Sequence, residues 1–166
     1  GFDFLKKIKG DVHTQNIPVI VISAVTNPDD IRLTKNLGAA EFVEKPINIL
    51  VQRRAAIGDV IMSTAVVREL KRKYGNTAVI DVATDFPDVY TNSPYVRNLI
   101  PIDAVRGKEA LYDVFINLDD AYEYNPENHY VDMYFQRAFG TTELDKSVDL
   151  FPTVEDKESV DEFLYF

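Results

Sequence analysis

Only Pro46, Ile47 and Asn48 separate two strand-like runs, one near 42–44 within "EFVEKP" and "ILVQ" starting at Ile49. Parallel neighbours in one sheet need a crossover of about a dozen residues. The two runs therefore either pair antiparallel or belong to different sheets, and the short link favours different sheets. The expected division is 1–46, then 47–150, with 151–166 as the approach to something further.

Residues 1–46 read as helix, strand, helix, strand. "FDFLKKIKG" has apolar residues at 2, 4, 5 and 8 and stops at glycine. "IPVIVIS", 17–23, is a continuous β-branched run of the kind buried on both faces. Asn27-Pro28 with following aspartates opens a second helix, and Gly38 closes it. "EFVEKP" is the second strand. Short loops joining alternating elements predict parallel α/β structure.

The remainder alternates in the same way. Ile49 to Val51 supply a strand, and Val60, Ile61, Thr64, Val67 and Leu70 recur at helical spacing up to Gly75. Strands follow at 77–83, near 98–102 and at 112–119. A helix, "HYVDMYFQRAFG", shows Tyr130, Met133, Tyr134 and Phe135 along one side and stops at Gly140. The expected class is α/β with a doubly wound, Rossmann-like parallel sheet, whose ligands bind beyond the carboxyl ends of the strands. The stretch "RRAAIGDVIMST", 53–64, lies at such an end.

Charge supports a small-ligand reading of that turn. The chain is acidic, with net charge −9, yet residues 49–75 hold six basic and two acidic side chains. Residues 76–166 hold six basic and nineteen acidic ones, a poor surface for nucleic acid. Arg68, Lys71, Arg72 and Lys73 are expected to complement a helix C-terminus. There is no cysteine and there are two histidines, so neither disulfides nor a thiolate or His-rich metal site is expected. No apolar run approaches the roughly 20 residues of a membrane span, and a cytoplasmic location is expected. The opening without methionine and the helical tail "DKESVDEFLYF" make a piece of a longer protein the expectation.

Two resemblances add to this. Through "GFDFLKKIK", "IPVIVISA" and "LGAAEFVEKP", residues 1–46 resemble the second half of a flavodoxin-like response-regulator receiver domain. The resemblance places the phosphoryl-contacting hydroxyl on Ser23, the switching aromatic on Phe42 and the family lysine on Lys45. The family's magnesium-binding acidic pair and phosphoacceptor aspartate have no counterpart here. The expectation is a vestigial segment without phosphorylation-driven switching.

Through "ILVQRRAAIGDVIMSTAVVRELKRKYGN", "TNSPYVRNLIPID" and "YDVFINLD", residues 49–150 resemble the N-terminal domain of GT-B glycosyltransferases. The specific likeness is to the ADP-heptose:lipopolysaccharide heptosyltransferase family, glycosyltransferase family 9. It implies transfer of a sugar, heptose in that family, from a nucleotide-activated donor such as ADP-heptose to a lipopolysaccharide-type acceptor. No further cofactor is implied, and peripheral contact with the inner membrane follows from such an acceptor. Asp59 would be the catalytic base, Gly58 would allow a tight turn with room for the acceptor, and Arg53 and Arg54 would attract its anionic groups. Arg54 and Ala55 depart from the family pattern. The donor is held mainly by a second domain in that family, so little activity is expected of this chain alone.

Simpler roles compete for each residue. Aspartate is a preferred N-cap; Ser63 and Thr64 suit packing. Asp119 and Asp120 suit a solvated loop but also reach the same cleft, and the tyrosines of "AYEYNPENHYVDMYF" suit either packing or sugar contact. The alternatives for the whole chain are a non-phosphorylatable interaction module and a fusion without integrated function.

Overall fold

A computed structural model describes residues 1–23, 27–123 and 127–164, with side chains to residue 160. Ala24, at the end of "IPVIVISA", Tyr124 in the tyrosine-rich stretch, and the final Tyr165 and Phe166 lie outside the described residues. The chain divides into two compact units, Gly1–Pro46 and Ile47–Phe166.

The first unit contains α1 (Phe2–Gly10), β1 (Ile20–Ser23), α2 (Pro28–Asn36) and β2 (Glu41–Glu44). β1 and β2 pair in parallel, from Ile20 opposite Glu41 to Ser23 opposite Glu44. The Asn27 side chain accepts the Asp29 amide, which caps α2, and Gly38 follows the helix at φ +89°, a conformation open to glycine. Lys9 donates to the carbonyls of Gln15 and Ile17 and ties the loop back to α1. The expectation of a strand buried on both faces fails here. Ile20 and Ile22 are 60% and 68% exposed, because a two-stranded sheet has too few neighbours to cover both faces of a β-branched run.

The second unit contains β3 (Ile47–Gln52), α3 (Ile57–Tyr74), β4 (Ala78–Ala83), β5 (Val96–Ile100), α4 (Ile102–Val105), β6 (Val114–Asn117), α5 (Tyr130–Phe139) and α6 (Val154–Leu164). β2 and β3 do lie in different sheets. The second sheet is entirely parallel, in the order β5-β4-β3-β6. After β5 the chain returns across the sheet to lay β6 on the far side of β3. The crevice where strand order reverses therefore opens between the carboxyl ends of β3 and β6.

Both faces are covered, unequally. On one face Ile49, Val51, Ile80 and Val82 pack with Val60, Val67 and Leu70 of α3 and with Val131, Tyr134 and Phe135 of α5. On the other, Leu50 and Ala83 meet Val105 of the one-turn α4, with Ile100, Ile102 and Tyr112 beside them. The buried side of α5 is Val131, Tyr134 and Phe135, while Tyr130 points outward at 45% exposure. Positions i, i+3 and i+4 thus form the stripe, and Tyr130 does not belong to it as expected.

Arg68 has a different task from the expected complement to the helix end. It is buried in the middle of α3, donates to the carbonyls of Asp145 and Ser147, and pairs with Glu69 and Asp149. The extended segment 141–153 is thereby fastened across α3. Thr64 accepts the Asp149 amide and Asn92 donates to the Phe151 carbonyl. Thr153 and Asp156 then exchange hydrogen bonds at the start of α6, a reciprocal cap.

Candidate functional site

The stretch 53–64 leaves β3, turns, and enters α3. Gly58 is not the turn residue: it lies inside α3 with an ordinary negative φ. A Cβ added there would meet nothing within 4 Å beyond its chain neighbours and its own helix backbone. The turn carries a cis peptide between Ala55 and Ala56.

Asp59 is not the N-cap. Ala56 holds that position and Asp59 is the third helical residue, where its carboxylate accepts the Ala56 amide at 3.0 Å. Negative charge here is favoured by the helix dipole. Arg53 donates to the same oxygen, Oδ2, at 2.6 Å, and the Tyr122 hydroxyl donates to it at 3.1 Å. No described group donates to Oδ1. The carboxylate side chain keeps 14% exposure.

The two arginines part company. Arg53 is 4% exposed and points inward: besides Asp59 it donates to the Leu118 carbonyl at 3.0 Å and to the Tyr122 hydroxyl at 3.3 Å. Its guanidinium lies over the rings of Tyr122 and Tyr134, a cation–π arrangement. Burial pulls its pKa down, but the Asp59 hydrogen bond and the nearby negative charge hold it above the ordinary arginine value. Burial, the hydrogen bond to Asp59 and that carboxylate's charge push the Tyr122 phenol up. The Tyr134 phenol is driven well above its usual range, mainly by burial. The Arg53 Nε and the Tyr134 hydroxyl are buried without a partner among the described residues.

Arg54 instead is exposed and lines two clefts of about 560 and 550 Å³ at the carboxyl ends of β3, β4 and β5. The first is walled by Thr84, Asp85, Pro87 and Leu99 to Asp103, the second by Gln52, Asp103, Arg106 and Glu109. Arg53 and Asp59 line neither, so the turn has a cleft side and an inward side. Asp119 joins the two strand ends, since it accepts Gln52 Nε2 at 2.6 Å and the Arg54 amide at 2.8 Å. Asp120 is exposed, with φ +55°. Ser63 is buried against the Tyr90 hydroxyl at 2.6 Å and Thr64 bonds the Ile61 carbonyl, both packing roles.

Gln52 escaped the reading of the sequence, and Tyr122 entered it only as one tyrosine of "AYEYNPENHYVDMYF". Tyr122 lies 63 residues from Asp59, and only its place in a tyrosine-rich stretch after a strand end marked it. In the first unit, Lys45 donates its backbone amide to the Ser23 carbonyl at 2.8 Å. Ser23 and Phe42 line one apolar cavity of about 380 Å³ with Leu5, Val19 and Thr34. Among the described residues no group of three or more His, Asp or Glu side chains is placed to hold a metal ion, and no helix is long and apolar enough to cross a membrane.

No family model matches the chain. A segment of 49 residues is 41% identical to a probable cyclic di-GMP phosphodiesterase of Vibrio cholerae, covering 30% of this chain and 11% of that protein. A segment of 47 residues is 38% identical to the two-component response regulator ORR3 of Oryza sativa subsp. indica, covering 28% of this chain and 36% of that one. Among solved structures, a glycosyl transferase of family 9 from Veillonella parvula aligns with TM-score 0.56 and 19% identity, over 73% of this chain and 50% of the other. The chain thus spans half of that glycosyltransferase and shares with it a Rossmann-like α/β fold with a parallel sheet.

Proposed function

We propose that residues 47–166 form the acceptor-side half of a glycosyltransferase in which Asp59 is the base. The observation that carries this is the arrangement of Asp59 at the strand-to-helix turn: three donors converge on Oδ2 and no described group donates to Oδ1. A carboxylate with one oxygen anchored and one available is built to take a proton from a ligand. The acceptor hydroxyl oxygen attacks the anomeric carbon of the donor, and the bond from that carbon to the nucleoside diphosphate breaks. The diphosphate leaves with the bonding pair, and the hydroxyl proton passes to Asp59 Oδ1. Arg54, on the cleft side, attracts anionic groups of the acceptor, and the open space at Gly58 admits it. Arg53 adds positive charge behind the carboxylate.

The likeness to a family 9 enzyme and the turn "RRAAIGD" support a heptose donated from ADP-heptose and a lipopolysaccharide-type acceptor, at the cytoplasmic side of the inner membrane. The test joins the full chain to a donor-binding domain of the family 9 type and follows ADP release from ADP-heptose with such an acceptor. Asp59→Ala is expected to lower kcat by about 100-fold or more, the usual worth of a general base. Undiminished transfer removes Asp59 from the role.

A second reading has its own support in the response-regulator match. Residues 1–46 would bind a signalling partner without being phosphorylated. Partner capture that survives deletion of residues 1–46 ends that reading.

A further inference from the structure

Two carboxylates in the second unit, Asp81 buried and Asp59 partly buried, share the same kinds of partner and use them differently. Asp81, in the middle of β4, takes Arg97 Nε on Oδ1 at 2.9 Å and Arg97 Nη2 on Oδ2 at 2.6 Å. Asn98 donates to its Oδ1 and the Tyr112 hydroxyl to its Oδ2. Both oxygens are occupied by donors from neighbouring side chains. Asp59 also has one arginine and one tyrosine, yet Arg53, Tyr122 and the Ala56 amide all meet Oδ2. An arginine–carboxylate pair commonly adopts the two-pronged form seen at Asp81. At Asp59 only Arg53 Nη2 engages the carboxylate: Nη1 goes to the Leu118 carbonyl, and Nε has no partner among the described residues.

Tyr122 is what gives this arrangement its direction. Its ring is fixed edge-to-face on Tyr130 at 4.3 Å and lies under the Arg53 guanidinium, so packing sets where the hydroxyl goes. That hydroxyl accepts from Arg53 and donates to Asp59, closing a triangle between the end of β3, the first turn of α3 and the loop after β6. We propose that Tyr122 is a positioning residue which, with Arg53, anchors Asp59 Oδ2 so that Oδ1 alone is presented to the acceptor hydroxyl. This rests on the base role given to Asp59 above. The raised pKa of the Tyr122 phenol beside the carboxylate accords with it.

The test uses the full chain with ¹³C-labelled tyrosine and follows each phenol through a pH titration. Asp59→Asn is expected to bring the Tyr122 midpoint down toward the ordinary phenol value and leave Tyr112 in place; Asp81→Asn is expected to do the reverse. An unmoved Tyr122 in Asp59→Asn overturns the proposal. In the transfer assay, Tyr122→Phe keeps the ring and is expected to lower kcat about tenfold, as loss of one hydrogen bond to a charged group does, with KM within about twofold. Tyr112→Phe is expected to change neither. Full kcat in Tyr122→Phe, where Asp59→Asn is inactive, also overturns it. Transfer that survives Asp59→Asn instead fails the base assignment, and is told apart because the titration coupling persists.

Discussion

β1 and β3 carry similar apolar runs, and the molecule treats them in opposite ways. β3 has β4 on one side and β6 on the other, with helices over both faces, and Ile49, Leu50 and Val51 are fully buried. β1 has β2 alone, and two of its isoleucines are largely exposed. Among the described residues, Leu5 is the one buried hydrophobic side chain of the first unit, while the second holds all the rest of the core. Burial is thus a property of the number of layers around a strand, and hydrophobicity supplies only the capacity for it.

The strongest way to break the comparison is Phe135→Ala, which empties a fully buried site in the second unit and is expected to cost about 3–5 kcal/mol in urea unfolding. Ile22→Ala in the first unit is expected to stay within about 0.5 kcal/mol, since the side chain already meets solvent. Equal losses would show that the first unit owns a core after all. Arg68→Ala comes next, at about 3 kcal/mol, because it leaves two strap carbonyls without their donor and Glu69 with Arg72 alone. Limited proteolysis should then open the segment 141–153 first.

These two predictions also mark what was legible. Alternating elements, the separate sheets, the parallel order and the turn at Asp59 followed from local periodicity and spacing. Arg68 was misplaced because its partners lie 77 to 81 residues ahead, and a helix-end charge looks the same in sequence whether it faces water or a strap. Tyr122 meets the turn only through the return of β6 beside β3, which also lets Asp119 bond Gln52 and the Arg54 amide. The exposure of β1 was hidden for the complementary reason, since a run of β-branched residues reports no neighbour count.

A third prediction concerns acid. Burial raises the Asp81 pKa, but Arg97, Tyr112 and Asn98 outweigh it and hold the group below the ordinary aspartate value. Its contribution is therefore present above the unfolded-state pKa and is lost as pH falls through the folded one. Asp81→Asn should flatten the acid limb of stability in the second unit. The first unit has no such buried pair among the described residues and should show no matching change. The smallest expected effects are at single helix positions. Asn27→Ala removes the cap of α2 and should cost the first unit about 1 kcal/mol. Gly58→Ala should stabilise α3 by up to about 1 kcal/mol, as alanine is the better helix former and the space is open. If the acceptor enters there, the same change lowers transfer while raising stability, measured as a higher KM beside a higher melting temperature.

The placement of β3 between β4 and β6 also sets an order in time. Gln52 meets Ala83 across one ladder and Asn117 across the other, so one pairing closes a loop about twice as long as its counterpart. Longer closures carry a larger entropy penalty, and non-local pairing slows folding. The β3–α3–β4 crossover unit should form first and β6 should dock late. The site is complete only after that docking, because Leu118, Asp119 and Tyr122 all arrive with β6. Pulsed hydrogen exchange during refolding would see amides of β4 protected before those of β6, and the grip on Asp59 as one of the last events of folding.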